Sequence, residues 1–232
     1  MTVEFAPARA LLISPHLDDG VFSCGQWLQS APATCVVTVF AGVPDSSVGT
    51  TDWDRQCGFA SSAEAMRARH EEDDLALSRL RVESRRLEFL DSQYGRSPEP
   101  GAIVDALAAA VRDWTPEALL LPLGLFHSDH DLVHRAALSL RAQQPGLDWI
   151  AYEDALYRQM PGLVQRRLGL LAAAGIIATP AVPWRSGEAQ AKALAVAAYA
   201  SQLRAFGDGG YHDVTRPERY WRLGSEAAEG AP

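Results

Sequence analysis

Residues 10–19, Ala10-Leu11-Leu12-Ile13-Ser14-Pro15-His16-Leu17-Asp18-Asp19, decide how the chain reads. A short, unbroken apolar run (ALLIS) predicts a strand buried on both faces. Polar residues follow it at once, and residues 20–30 then take helical spacing through Val21, Cys24, Trp27 and Leu28. Cys35 to Ala41 (CVVTVFA) repeats the pattern of a buried, β-branched strand. Strand, helix and strand in alternation predict an α/β fold: a Rossmann-like three-layer α/β/α sandwich with a mainly parallel sheet. In such sheets ligands bind beyond the C-terminal ends of the strands. His16, Asp18 and Asp19 are therefore site candidates from position alone.

The rest of the chain keeps the alternation. Residues 42–60 are rich in Gly, Pro, Asp, Ser and Thr and read as a long loop, a feature that is usually functional or mobile. Ser61 or Ser62 is placed to cap a mainly polar helix ending near Leu80. Leu87–Leu90 (LEFL), Leu119–Leu123 (LLLPL) and Trp149–Glu153 read as strands. Residues 101–113, 131–142, 161–174 and 187–206 read as helices. Tyr220 and Trp221 read as packing residues of a terminal strand, and about 224–232 as a flexible polar tail. At roughly 150 residues per domain, 232 residues are read as one domain, 1–232.

Composition narrows the function classes. Lys and Arg total 21 and Asp and Glu 29, a formal net charge of −8. That excludes a broad electrostatic grip on nucleic acid or on an anionic membrane. No apolar stretch approaches the roughly 18 residues of a membrane span, so no membrane insertion is expected. The N-terminus lacks the pattern of a secretory signal. Three cysteines with no CxxC pair read as free thiols in a reducing compartment, so a cytoplasmic protein is expected. Nothing in the residues sets an oligomeric state.

A second polar cluster, Phe126-His127-Ser128-Asp129-His130-Asp131, follows the LLLPL strand. With residues 15–19 it brings three histidines and four acids to one sheet edge. Imidazole with carboxylate is a donor mix for Zn²⁺ and similar divalent ions. Other readings remain open: an Asp-Asp pair can cap a helix, and a strand-end histidine can sit in a surface loop. His130 and His134 also stand i, i+4, as in the HExxH zinc helix, with Asp131 where that motif has Glu. No Gly-x-Gly-x-x-Gly follows the first strand, so a dinucleotide site is not indicated.

The paired motifs, Pro-His-x-Asp-Asp after one strand and His-x-Asp-His after a later one, resemble those of the LmbE/PIG-L-type zinc-dependent N-deacetylases. Arg69-x-x-Glu72, Tyr199-Ala-Ser-Gln202 and Pro217-Glu-Arg-Tyr-Trp221 resemble further elements, so the likeness runs from about residue 10 to 223. The resemblance implies one divalent ion, Zn²⁺ or another divalent metal, held by His16, Asp19 and His130. It implies Asp18 as general base and His127 as the oxyanion and leaving-group residue, with Asp129 orienting it; the negative charge of Asp129, two residues on, is expected to keep His127 protonated. Leu17, where the family most often has Pro or Ala, is a departure at a position without chemistry.

The implied substrate is a small N-acetylated amino sugar or its conjugate, with no nucleic-acid partner. Arg69, Trp53 and Asp54 are candidates to contact it. For Arg69 the alternative is a solvated helix face, and for Trp53 and Asp54 a loop anchor. The rival functions are hydrolysis of another small N-acylated amine and a non-catalytic sugar- or metal-binding domain.

Overall fold

The computed structural model describes residues 2–95, 97–207 and 210–225. The elements run β1 (Val3–Phe5), β2 (Arg9–Ser14), α1 (Asp19–Ser30), β3 (Ala33–Thr38), α2 (Asp52–Gln56), α3 (Ser62–Leu80), β4 (Glu83–Arg86), α4 (Pro100–Trp114), β5 (Ala118–Pro122), α5 (Ser128–Gln143), β6 (Asp148–Tyr152), α6 (Leu163–Ala173), β7 (Ile176–Pro183), α7 (Ala189–Val196), α8 (Ala200–Phe206) and β8 (Tyr220–Ser225). The strands form one sheet in the order β1-β7-β8-β6-β5-β2-β3-β4. Five of its seven pairings are parallel; β8 runs antiparallel to both β6 and β7.

The unbroken apolar strands make the layers. Leu11 and Ile13 pack with Leu119 and Leu121 against α4, α5 and α6. Ala10, Leu12 and Leu120 turn the other way, onto α1, α3 and α7. A strand with period-2 side chains and both faces covered has no polar position to offer. That is why β2 and β5 read as continuous apolar runs.

Four expectations need correction. The strand expected at residues 87–90 lies four residues earlier, at the polar run Glu83–Arg86. Among the described residues β4 is the sheet edge, beside β3 alone, so it needs no apolar run; the LEFL segment follows on through the Leu87 N–H, which donates to the Thr38 carbonyl at 2.8 Å, and an antiparallel bridge, Phe40 to Glu88. The loop 42–60 contains a short helix, α2, whose N-cap Thr51 and Asp54 form a reciprocal capping box. The helix expected over 187–206 is two helices. The Glu72 carboxylate accepts both the N–H and the hydroxyl of Ser201, each at 2.7 Å, and starts α8 afresh. Finally, Gly224 and Ser225, expected in the tail, pair with Ile177 and Ile176 in β8; residues 226–232 lie outside the described residues.

Ser61 caps α3 through Glu64 N–H, as its position suggested. Cys24, Cys35 and Cys57 are free and buried. Among the described residues, no helix is long and apolar enough to cross a membrane.

Candidate active site

The strand ends of β2, β5 and β6 converge on one cavity of about 200 Å³, lined by His16, Asp18, Asp19, Arg69, His127 and His130 among others. The turn after β2 is tied locally. Ser14 Oγ donates to the carbonyl of His16 at 2.5 Å and accepts the N–H of Gly20 at 2.8 Å. A Cβ at Gly20 would meet Leu12 Cδ2 at 3.0 Å, so glycine lets the helix start close against the strand. Asp19 Oδ2 accepts the His16 N–H at 2.9 Å, which folds this carboxylate back toward the imidazole.

Asp19 Oδ2 ends up between two rings, 3.0 Å from His16 Nδ1 and 3.1 Å from His130 Nε2. Asp18 goes elsewhere. It is the N-cap of α1 but makes no side-chain cap bond, so the helix-cap reading of the Asp-Asp pair does not describe it. Burial first, and the charge of Asp19 second, raise the Asp18 carboxyl to about 7. Burial also works against a charged Asp19, yet His130 and His16 hold it well below the ordinary carboxylate range. For His130, burial is outweighed by Asp19 and Asp154, which raise it to about 9.

Asp154, just past β6, is central and was not singled out from the sequence. Its Oδ1 faces His130 Nδ1 at 2.6 Å, and its Oδ2 accepts the N–H groups of Gly124 and Leu125 at 2.9 and 3.2 Å. Asp91 is a second such residue: it lines the cavity, with Oδ2 3.7 Å from His16 Nε2. Asp154 directly follows the run Trp149–Glu153 and Asp91 directly follows LEFL. The strand-end rule that flagged residues 15–19 would have flagged both.

The residues present fit a divalent cation. His16, Asp19 and His130 offer donor atoms all within 4.8 Å of one another. Zn²⁺ takes such donors at about 2.0–2.1 Å, which sets neighbouring donors roughly 3.3 Å apart; 3.0 and 3.1 Å suit that set. Asp154 fixes His130 through Nδ1, which turns its Nε2 toward Asp19, the outer carboxylate that metal-binding histidines usually have. A second group, His16, His127 and Asp129, also clusters within 4.8 Å. The i, i+4 pair is not brought together this way. His134 donates through Nδ1 to the Pro122 carbonyl at 2.8 Å and belongs to neither cluster.

His127 differs from the expectation in its partner. The Asp129 carboxylate, fully buried, faces His16 Nε2 at 3.3 Å and accepts Ser92 N–H at 3.1 Å. It is the Asp129 backbone N–H that orients His127, donating to Nδ1 at 3.2 Å. In the neutral ring the proton therefore sits on Nε2. Burial, then the neighbouring His16 and His130, lower the His127 pKa. The Asp129 charge raises it, in the direction expected, but is outweighed.

Of the three candidate contact residues, Arg69 and Trp53 line the cavity. Asp54 is fully buried behind them. It accepts from Arg69 Nη2 at 2.9 Å and from the Tyr94 hydroxyl at 2.8 Å, so it holds Arg69 in place. Arg69 is itself buried, which replaces the solvated-face reading, and its Nε–H has no partner among the described residues. Trp53 Nε1 donates to Gln202 Oε1 at 3.1 Å.

The chain resembles known proteins over most of its length. The family model PIG-L, described as GlcNAc-PI de-N-acetylase, matches residues 11–140. The 2'-N-acetylparomamine deacetylase of Streptomyces fradiae is 31% identical over 211 residues, spanning 84% of this chain and 73% of the relative. Among solved structures, the zinc-inhibited form of teicoplanin deacetylase Orf2 superposes with a TM-score of 0.78 at 22% identity, covering 94% of this chain and 98% of its own. The A40926 pseudoaglycone deacetylase Dbv21 gives 0.76 at 22% identity over the same shares. These two establish the likeness of fold.

Proposed function

The chain belongs to the PIG-L family, and from that premise we propose that it is a metal-dependent hydrolase that removes the acetyl group from an N-acetylated amino sugar or its conjugate. The observation that carries this reading is the division of two adjacent carboxylates. Asp19 lies between the His16 and His130 imidazoles, while Asp18 stands in the same cavity with no capping role.

His16, Asp19 and His130 would hold the ion, with Asp154 fixing His130. A divalent ion there supplies Lewis acidity, which polarises an amide carbonyl and makes water more acidic. Asp18 accepts the proton of the attacking water, the role of a general base, and can return it to the leaving amine. His127 offers its Nε2–H to the oxygen that gains negative charge, as an oxyanion-hole donor does. This role uses the neutral ring, in line with its lowered pKa. Arg69, anchored by Asp54 and Tyr94, lines the cavity as a fixed cation for an oxygen of the substrate. Trp53 lines the same space.

The relatives named for paromamine, teicoplanin and the A40926 pseudoaglycone support an amino sugar carried on a larger group as the substrate class. The test is acetate release from N-acetylglucosamine and 2'-N-acetylparomamine. Release that stops with a chelator and returns with added Zn²⁺ or another divalent ion is the expected result. No release from either substrate with metal restored overturns the reading.

A further inference from the structure

Phe126 stands where glycine would suit the backbone better. Its φ is 59°, in the left-handed region that bulky side chains rarely adopt. His127 N–H donates across it to the Leu125 carbonyl at 2.7 Å. This closes a γ-turn with positive φ at its centre, the rarer and more strained form. The surroundings impose the turn: Asp154 Oδ2 accepts the N–H groups of Gly124 and Leu125, and Arg167 Nη2 donates to the Gly124 carbonyl at 2.5 Å.

The ring gains little from the core, since Phe126 is 67% exposed. It meets Tyr157, with centroids 5.4 Å apart and planes 33° from parallel. Tyr157 lines the cavity, lies over His127 at 6.4 Å and 27°, and sets its edge on His130 at 5.1 Å. Two rings thus run from the candidate chemistry out to solvent. Neither the turn nor the packing requires a phenyl group at the outer end.

We propose that Phe126 and Tyr157 form an aromatic ledge at the cavity mouth, which stacks on a ring attached to the amino sugar. The proposal rests on the deacetylase reading for the direction of the substrate. His127 serves the scissile amide and its leaving amine, so the ledge beside it borders the amine's own substituents. A cavity of about 200 Å³ is on the scale of one acylated sugar, and a group joined to that sugar must emerge at the rim. An exposed ring there offers the flat apolar face that aryl and sugar rings stack on.

The test compares the dissociation constants of the phenyl and methyl glycosides of glucosamine, the deacetylated products that the proposed reaction leaves intact, measured on the metal-loaded protein by calorimetry. The wild type should prefer the phenyl glycoside by roughly three- to tenfold, the usual worth of one aromatic pair. Phe126→Gly and Phe126→Asn, both tolerant of positive φ, should bring the ratio to about one without lowering Tm. Phe126→Trp should keep it. A wild-type ratio of about one overturns the ledge. So does a ratio that survives Phe126→Gly, or an equal loss on both glycosides, which would mean the turn acts only through His127. The ratio does not depend on turnover. If it behaves as expected with no acetate released, the ledge stands and the deacetylase reading falls; acetate release with a ratio of about one gives the converse.

Discussion

The turns after β2 and β5 deliver donors to the same cavity but are built in opposite ways. The first is self-contained. Ser14, His16, Asp19 and Gly20 bond to one another within six residues. The second holds two residues at positive φ, Gly124 at 77° and Phe126 at 59°. It is held from outside, by Asp154 thirty residues on and Arg167 on α6. One turn carries its own scaffold; the other is strained and depends on partners that only the fold brings near.

The largest expected effect tests the division of labour in the first turn. Asp18→Asn should keep the metal and lose roughly 10²- to 10⁴-fold in kcat, the usual worth of a general base. Asp19→Asn should lose the metal itself. Elemental analysis beside kcat reads both, and equal metal loss in the two variants breaks the assignment.

Acid should strike the second turn harder. His134 is buried beneath it, and burial, then Arg167, lowers its pKa to about 4 from an ordinary 6.5. The unfolded chain takes up that proton first as pH falls. Stability linked to His134 is therefore complete above about 6.5 and lost by about 4, a change of about 3 kcal/mol. Denaturant midpoints of wild type and His134→Gln, at about pH 7.5 and pH 4, isolate it. Parallel acid losses in the two proteins would remove His134 as the cause.

Asp154→Ala sharpens the contrast further, because it removes the outside support. Metal affinity should drop about 10- to 100-fold, as for other outer carboxylates on metal-binding histidines. Competition with a chromogenic chelator measures it, and an unchanged affinity would show that His130 is held without Asp154. The smallest effect belongs to the self-contained turn. Ser14→Ala should lower unfolding free energy by about 1 kcal/mol, read from urea midpoints. A loss several times larger would mean that this turn, too, leans on distant partners.

These differences track what was legible in the residues. The alternation of apolar runs and helical spacing placed α1, α3 and α5 and strands β2, β3, β5 and β6, because strands covered on both faces leave an unmistakable composition. β4 was misplaced because an edge strand needs no such composition, and the split between α7 and α8 was invisible because its cause is Glu72 on α3. At the site, His16, Asp18, Asp19, His127 and His130 stood out by strand-end position, and the structure brings all five to one cavity. The partners of His127 and Asp129 could not be read, since adjacent residues in a first helical turn point in different directions.

The sequence by itself determined the layer architecture, the two polar strand ends and the donor types they carry, since these follow from local period and composition. Only the tertiary structure decided which oxygen of which aspartate faces which ring, that Asp54 serves Arg69, and that Asp154 governs both His130 and the strained turn at Phe126. The physical reason is distance along the chain. Asp154 reaches Gly124 because β6 pairs beside β5, and such a contact exists only once the sheet has formed.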